Sequence, residues 1–213
     1  MLLREAPEHV KERADHKSMW VNQNVAKLLT EIGVLERKLG IPISLSTLYL
    51  AVAERVGLET AGVNLPGHFM VRTGWGNSTL FVDPYHDGQF LDRAGCVRRV
   101  REVTGEPIDL DEEQFAPCPA VVIVSRMLRN LKAVYLNEGD FDAALPVMRR
   151  LVALSAGAPL ERRDLGVACL HAQHAGEAID HLEAYLQACP KADDVRDVAS
   201  FLRAARRDVA AWN

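Results

Sequence analysis

A chain of 213 residues, 48% hydrophobic and 25% charged, can bury one large core or two small ones and has the make-up of a globular protein. Its net charge of −4 and isoelectric point near 6.0 leave no basic footprint, which excludes nucleic acid and anionic membrane as expected partners. No apolar window approaches the roughly eighteen residues that a bilayer-spanning helix needs. The opening Met1-Leu2-Leu3-Arg4-Glu5 becomes charged too early for a signal peptide, so a cytoplasmic location is expected. Cys96, Cys118, Cys169 and Cys189 lack paired metal-ligand spacing and are expected to be free thiols in that compartment. No metal or cofactor is expected.

Residues 1 to about 39 read as helical, weakly through Leu2, Leu3, Ala6 and Val10, then strongly through Val25, Leu28, Leu29, Ile32 and Leu35. Gly40 and Pro42 interrupt. Helical spacing resumes from Leu45 to Val56, with Ser44 or Ser46 where a cap would sit and Gly57 as the stop. The period then changes. Pro66-Gly67 is a turn, His68 to Arg72 alternates as a strand, Trp75 to Ser78 is turn chemistry, and Thr79 to Asp83 is a second strand. A third strand fits Ala61 to Asn64, and Asp87-Gly88 turns the chain into Gln89-Phe90-Leu91. A short helix over Ala94 to Arg101 and an irregular stretch from Gly105 to Pro119 complete a first domain, taken as residues 1–118.

Residues 119–213 form the second domain and read as helices throughout. Setting Ser125 against Pro159 brings Leu131 onto Leu165, Tyr135 onto Cys169, Ala144 onto Ala178 and Met148 onto Leu182. A period of thirty-four, with small residues where helices cross, is similar to that of tetratricopeptide hairpins. The hairpins run from about Val121 to Ser155 and from Leu160 to Cys189, and a last helix, Asp193 to Ala211, covers the stack through Val195, Val198, Leu202 and Ala205. Such arrays offer a groove for a protein or peptide partner. If Arg149, Arg150, Arg162, Arg163, Arg206 and Arg207 converge there, the partner would be an acidic peptide or a C-terminal carboxylate; otherwise they are solvated helix surface.

Ser44 at a helix start, His68 opening one strand and Asp83 closing the next have the order of nucleophile, base and orienting acid. The segments Gly40-Ile41-Pro42-Ile43-Ser44-Leu45-Ser46, Pro66-Gly67-His68-Phe69 and Val82-Asp83-Pro84 resemble the transglutaminase-like core of SirB-type proteins, in which tetratricopeptide repeats follow the core. The resemblance runs from about Val34 to Pro190. It implies an α+β, papain-like fold with an antiparallel sheet, with His68 and Asp83 matching the His and Asp of a Cys-His-Asp triad. The nucleophilic Cys has no counterpart, because no cysteine precedes Cys96. Two functions therefore stand open. One is a protein- or peptide-binding protein on a core that has lost its nucleophile, with Ser44 as a helix cap. The other is a hydrolase or acyl transferase on peptide or amide substrates, with a Ser44–His68–Asp83 triad.

Three further groupings read as ordinary structure. His68, Asp83 and His86 do not have the spacing of a recognised ligand set, and Asp87 beside them adds none. Cys96 is either a reactive thiol or a buried one. His171, His174 and His181 fall roughly on one helix face at spacings of three and seven.

Overall fold

The computed structural model describes residues 39–75 and 78–211, with the side chains of 75 and 78 left aside. The helical reading of the first 38 residues lies outside them, as do Gly76 and Asn77 of the second strand turn. The described chain is α+β and forms two compact units that divide between Val124 and Ser125, within a helix.

The first unit opens on α1 (Pro42–Arg55). This helix starts earlier than Leu45 because Pro42, already fixed at helical φ and lacking an N–H to satisfy, suits the first turn. A meander follows, β1 (Thr60–Leu65), β2 (His68–Trp75), β3 (Ser78–Asp83) and β4 (Gln89–Leu91), all antiparallel in the order β1-β2-β3-β4. Leu65 pairs with His68 across Pro66-Gly67, a two-residue turn that Gly67 permits with φ of +65°. α2 (Arg93–Thr104) begins at Asp92, whose carboxylate accepts from the Gly95 N–H at 2.7 Å, and ends at left-handed Gly105.

Strand alternation places Val63, Leu65, Met70 and Phe81 in one apolar cluster with Cys96 and Val100 of α2 and Phe115 of the following loop. His68 lies two residues before Met70, and Asp83 two residues after Phe81. Both therefore belong to the same sheet face as that cluster. The pairing of Val71 with Val82, continued by one step, brings Asp83 opposite Met70 and diagonal to His68.

The second unit is helical, built from most of α3 (Ala120–Glu138) with α4 (Phe141–Leu154), α5 (Pro159–His171), α6 (Ala175–Ala188) and α7 (Val195–Ala210). Its core gathers the equivalent positions of the two repeats: Ala144 with Ala178, Met148 with Leu182, and Leu165 and Cys169 beside them, all almost fully buried. α7 adds Val198, Leu202 and Ala205, closing the apolar face of the last hairpin. Gly166 marks the close approach of α5 and α6, since a Cβ there would meet Leu182 Cγ at 2.7 Å.

Candidate functional site

The site grows from a buried carboxylate. Asp83 is fully buried, and its Oδ1 lies 2.9 Å from Nε2 of the equally buried His68. Beyond Asp83 the chain turns back through Pro84 to Gly88. The Asp83 carbonyl accepts from the His86 and Gly88 N–H groups, and left-handed Asp87 and Gly88 (φ of 56° and 68°) close the loop. That turn brings the His86 ring onto the side chain it has just left. Nδ1 of His86 sits 2.8 Å from Asp83 Oδ2 and carries the hydrogen, because an ionised carboxylate only accepts. Arg99, from α2, places Nε 3.3 Å from the same oxygen. It is held by Gln89 Oε1 at 2.9 Å and Glu102 at 3.5 Å.

Burial alone would push the Asp83 carboxyl up, but His68 and His86 on its two oxygens outweigh it and hold it below the ordinary value of 3.8. Asp83 therefore stays ionised between two imidazoles, one sealed in the core and the other about one-third exposed. Tyr85 stands edge-on to His86, ring centroids 5.0 Å apart, and to His68 at 6.2 Å.

Ser44 is occupied differently. Its Oγ accepts from the Ile41 N–H and donates to the Ile41 carbonyl, both at 2.9 Å. The hydroxyl thus ties down the chain three residues before it, satisfying one of the amides that a helix start leaves open. Ser44 is the third residue of α1 rather than the residue before it, a consequence of the earlier start at Pro42. Ser46, also buried, donates to the Phe69 carbonyl at 3.0 Å and so fastens α1 to β2. The structure therefore brings His68 and Asp83 together and gives both hydrogen bonds of the Ser44 hydroxyl to Ile41.

Cys96 is buried under the same sheet face, and burial, followed by the nearby charges of Asp92 and Asp83, pushes its thiol up to about 12. It is unreactive at neutral pH. His86 and Arg99 are the members that strand spacing did not bring to the site. His86 returns only through the turn geometry after Asp83, and Arg99 only through the packing of α2.

In the repeat unit, four of the six arginines are engaged within the unit. Arg149 pairs with Glu177 at 2.6 Å, Arg163 with Asp164 at 2.7 Å and Asp194 at 2.8 Å, and Arg206 with Glu183 at 2.7 Å. Arg162 donates to the Gly157 carbonyl. The three histidines also separate: His171 stacks on Phe141 with centroids 4.7 Å apart, His174 precedes α6, and His181 lies 3.7 Å from Glu177.

Residues 27–129 match the transglutaminase-like superfamily, and residues 131–203 match the tetratricopeptide repeat. A UPF0162 protein of Xylella fastidiosa (strain 9a5c) is 37% identical over 172 residues, covering 79% of this chain and 61% of the relative. UPF0162 proteins of Vibrio cholerae and Pasteurella multocida are 25% and 24% identical over 158 residues, covering 74% of this chain and 58% and 60% of the relatives. The chain thus spans about three fifths of the length of the curated relatives it matches. No solved structure matches it. Among the described residues no helix is long and apolar enough to cross a membrane. The two matched regions, in this order, give the chain a transglutaminase-like core followed by tetratricopeptide repeats, the arrangement the sequence motifs resemble.

Proposed function

We propose that the protein binds a protein or peptide partner through the groove of its repeats, on a transglutaminase-like core that serves as a scaffold and not as a catalyst. The observation that carries this reading is the engagement of Ser44. The position matching the start of the nucleophile helix holds a serine, and both hydrogen bonds of its hydroxyl go to the Ile41 backbone. A thiol is already a few per cent thiolate at neutral pH, whereas a serine hydroxyl depends wholly on an adjacent base. An oxygen that donates to a carbonyl has no hydrogen left for that base. Tetratricopeptide arrays generally hold protein segments, and the second unit has the buried, closed stack such a role requires. The Arg149–Glu177 and Arg163–Asp194 pairs favour a partner recognised by shape and apolar contact over a strongly acidic peptide. Free thiols suit the proposed cytoplasmic location.

The competing reading, a hydrolase or acyl transferase with a Ser44–His68–Asp83 triad, draws on one observation, the His68–Asp83 contact at 2.9 Å. Hydrolysis of activated esters and peptide amides, measured on the wild type and Ser44→Ala, decides between them. The binding reading expects background rates from both proteins. A wild-type rate clearly above background that is lost in Ser44→Ala would install the enzyme instead. Selection from a displayed peptide library tests the binding side. A shared motif enriched by the full chain is expected, and failure to enrich any motif counts against the groove.

A further inference from the structure

We propose that His68, Asp83 and His86 form a binding site for a divalent transition-metal ion of the zinc class, held by two imidazoles and one carboxylate. The inference goes beyond partner binding and does not depend on it. One donor atom from each residue lies within 4.8 Å of the others, and among the described residues no other group of three does so. The donor types suit the ion, because neutral imidazole and carboxylate oxygen are the usual partners of zinc and of iron(II) in sites that keep positions open.

The geometry agrees with the chemistry. Two ligands each about 2.1 Å from one ion, and at right angles to it, lie about 3 Å apart. His68 Nε2 and Asp83 Oδ1 are 2.9 Å apart, and His86 Nδ1 and Asp83 Oδ2 are 2.8 Å apart. An ion on the bisector of the Asp83 carboxylate would therefore meet one nitrogen beside each oxygen. To bind it, each of those nitrogens must turn a lone pair inward, with any hydrogen it carries moving to the other ring nitrogen or to water. His68 and Asp83 are fixed by complete burial, and His86, about one-third exposed, gives the ion an entry path and leaves coordination positions for water. Arg99 works against the ion, since its Nε stands 3.3 Å from Asp83 Oδ2 and adds a positive charge beside the site. It is a positioning residue whose removal has a predicted sign.

The test is titration of the untagged, chelator-treated full chain with Zn²⁺, followed by calorimetry, and with Co²⁺, followed by its visible absorption. The expected result is one saturable equivalent, with Co²⁺ visible bands that shift as nitrogen and carboxylate ligands replace water. His86→Ala should weaken binding by about tenfold or more, the usual loss when a site is stripped of an orienting or ligating group. Arg99→Gln should tighten it several-fold. His86 is the ligand to change because it is partly exposed, and an unchanged melting temperature certifies that its variant is folded. Absence of saturable binding up to millimolar metal overturns the site. So does binding of equal affinity in His86→Ala, which would place the ion elsewhere, or a Co²⁺ spectrum dominated by thiolate charge transfer, which would place it on the cysteines.

Discussion

The two units spend their interiors differently. Every buried polar or charged side chain among the described residues (Ser44, Ser46, Thr47, His68 and Asp83) lies in the first unit. The repeat core is apolar from Ala144 to Ala205 apart from the Tyr185 hydroxyl, which donates to Asp194, and its ion pairs stay outside or at the edges. Burying a charge is costly unless its partners are in place, so a small core that keeps five such groups is organised around them. The repeat unit follows the opposite rule, in which helices specify their neighbours by shape and the polar groups remain at the surface, available to a partner. The contrast shows where chemistry and where recognition should be sought.

The largest effect is expected where that contrast is sharpest. Asp83→Ala removes the carboxylate between His68, His86 and Arg99 and leaves their donors facing a void. Breaking a buried ionic contact by deleting one partner typically costs about 3–5 kcal/mol. The loss should fall on the first unit, read as faster amide hydrogen exchange in β2 and β3 while α5 and α6 keep their protection. A variant within 1 kcal/mol of the wild type, on the scale of ordinary surface changes, would mean that the cluster is not what organises this core.

Gly166→Ala probes the repeat unit by packing alone. Alanine in place of glycine inside a helix gains about 1 kcal/mol from backbone entropy. Here the new Cβ would stand 2.7 Å from Leu182 Cγ and 3.2 Å from the Leu182 backbone nitrogen. Overpacking costs about 1–3 kcal/mol, and backbone cannot turn aside as a side-chain tip can, so the clash should win by about 1 kcal/mol. The melting temperature of the repeat unit should fall. A rise would show that α5 and α6 have room to separate.

What the sequence made legible follows the same division. The repeat was readable because Ala144 and Ala178, or Met148 and Leu182, occupy equivalent packing positions and packing tolerates few residue types. The sheet was readable because period-two alternation flanks Pro66-Gly67, and its register carries His68 and Asp83 to one face. What stayed hidden depends on geometry that spacing does not encode. His86 reaches Asp83 only because the chain turns through Pro84 and Tyr85, a turn closed by the His86 N–H on the Asp83 carbonyl. Ser44 became the third residue of its helix because Pro42 starts the helix early. The arginine pairs join residues 28 to 31 apart, Arg149 to Glu177 and Arg163 to Asp194, distances that carry meaning only once neighbouring hairpins are stacked.

Two serines in α1 sharpen the comparison further. Ser44→Ala removes a local tie to Ile41 and should cost about 1 kcal/mol, the usual value of a helix-start bond. Ser46→Ala removes the buried bond that fastens α1 to the Phe69 carbonyl of β2, for about 1.5 kcal/mol, the upper end of the net value of one hydrogen bond. Chemical denaturation of the pair should therefore rank Ser46→Ala as the more damaging. The reverse order would mean that the start of α1, and not its attachment to the sheet, limits the stability of the first unit.

The smallest effect is a dependence on pH in the repeat unit. The hydrogen bond from Arg149 holds the Glu177 carboxyl below its ordinary value of 4.5, against a smaller opposing push from burial. A depressed carboxylate adds stability that is present above its unfolded pKa and is lost as pH falls through the folded one. Arg149 is more than one-third exposed, so this pair is screened and contributes at most about 1 kcal/mol. His181 acts in the same direction for another reason. Burial lowers its pKa from 6.5, Glu177 and Asp180 pull it upward, and Arg162 assists the burial, with the net shift downward. The folded repeat thus prefers neutral His181, and protonation below about pH 6.5 favours the unfolded chain. Two acid limbs are expected in melting temperature, a shallow one beginning near pH 6.5 and a second below pH 4.5. His181→Gln should flatten the first and leave the second, while Glu177→Gln should shrink the second to the part that Asp194, held down by Tyr185 and Arg163, contributes. Stability that rises between pH 7 and pH 5 would reverse the sign for His181 and move the acid-sensitive group out of the repeat unit.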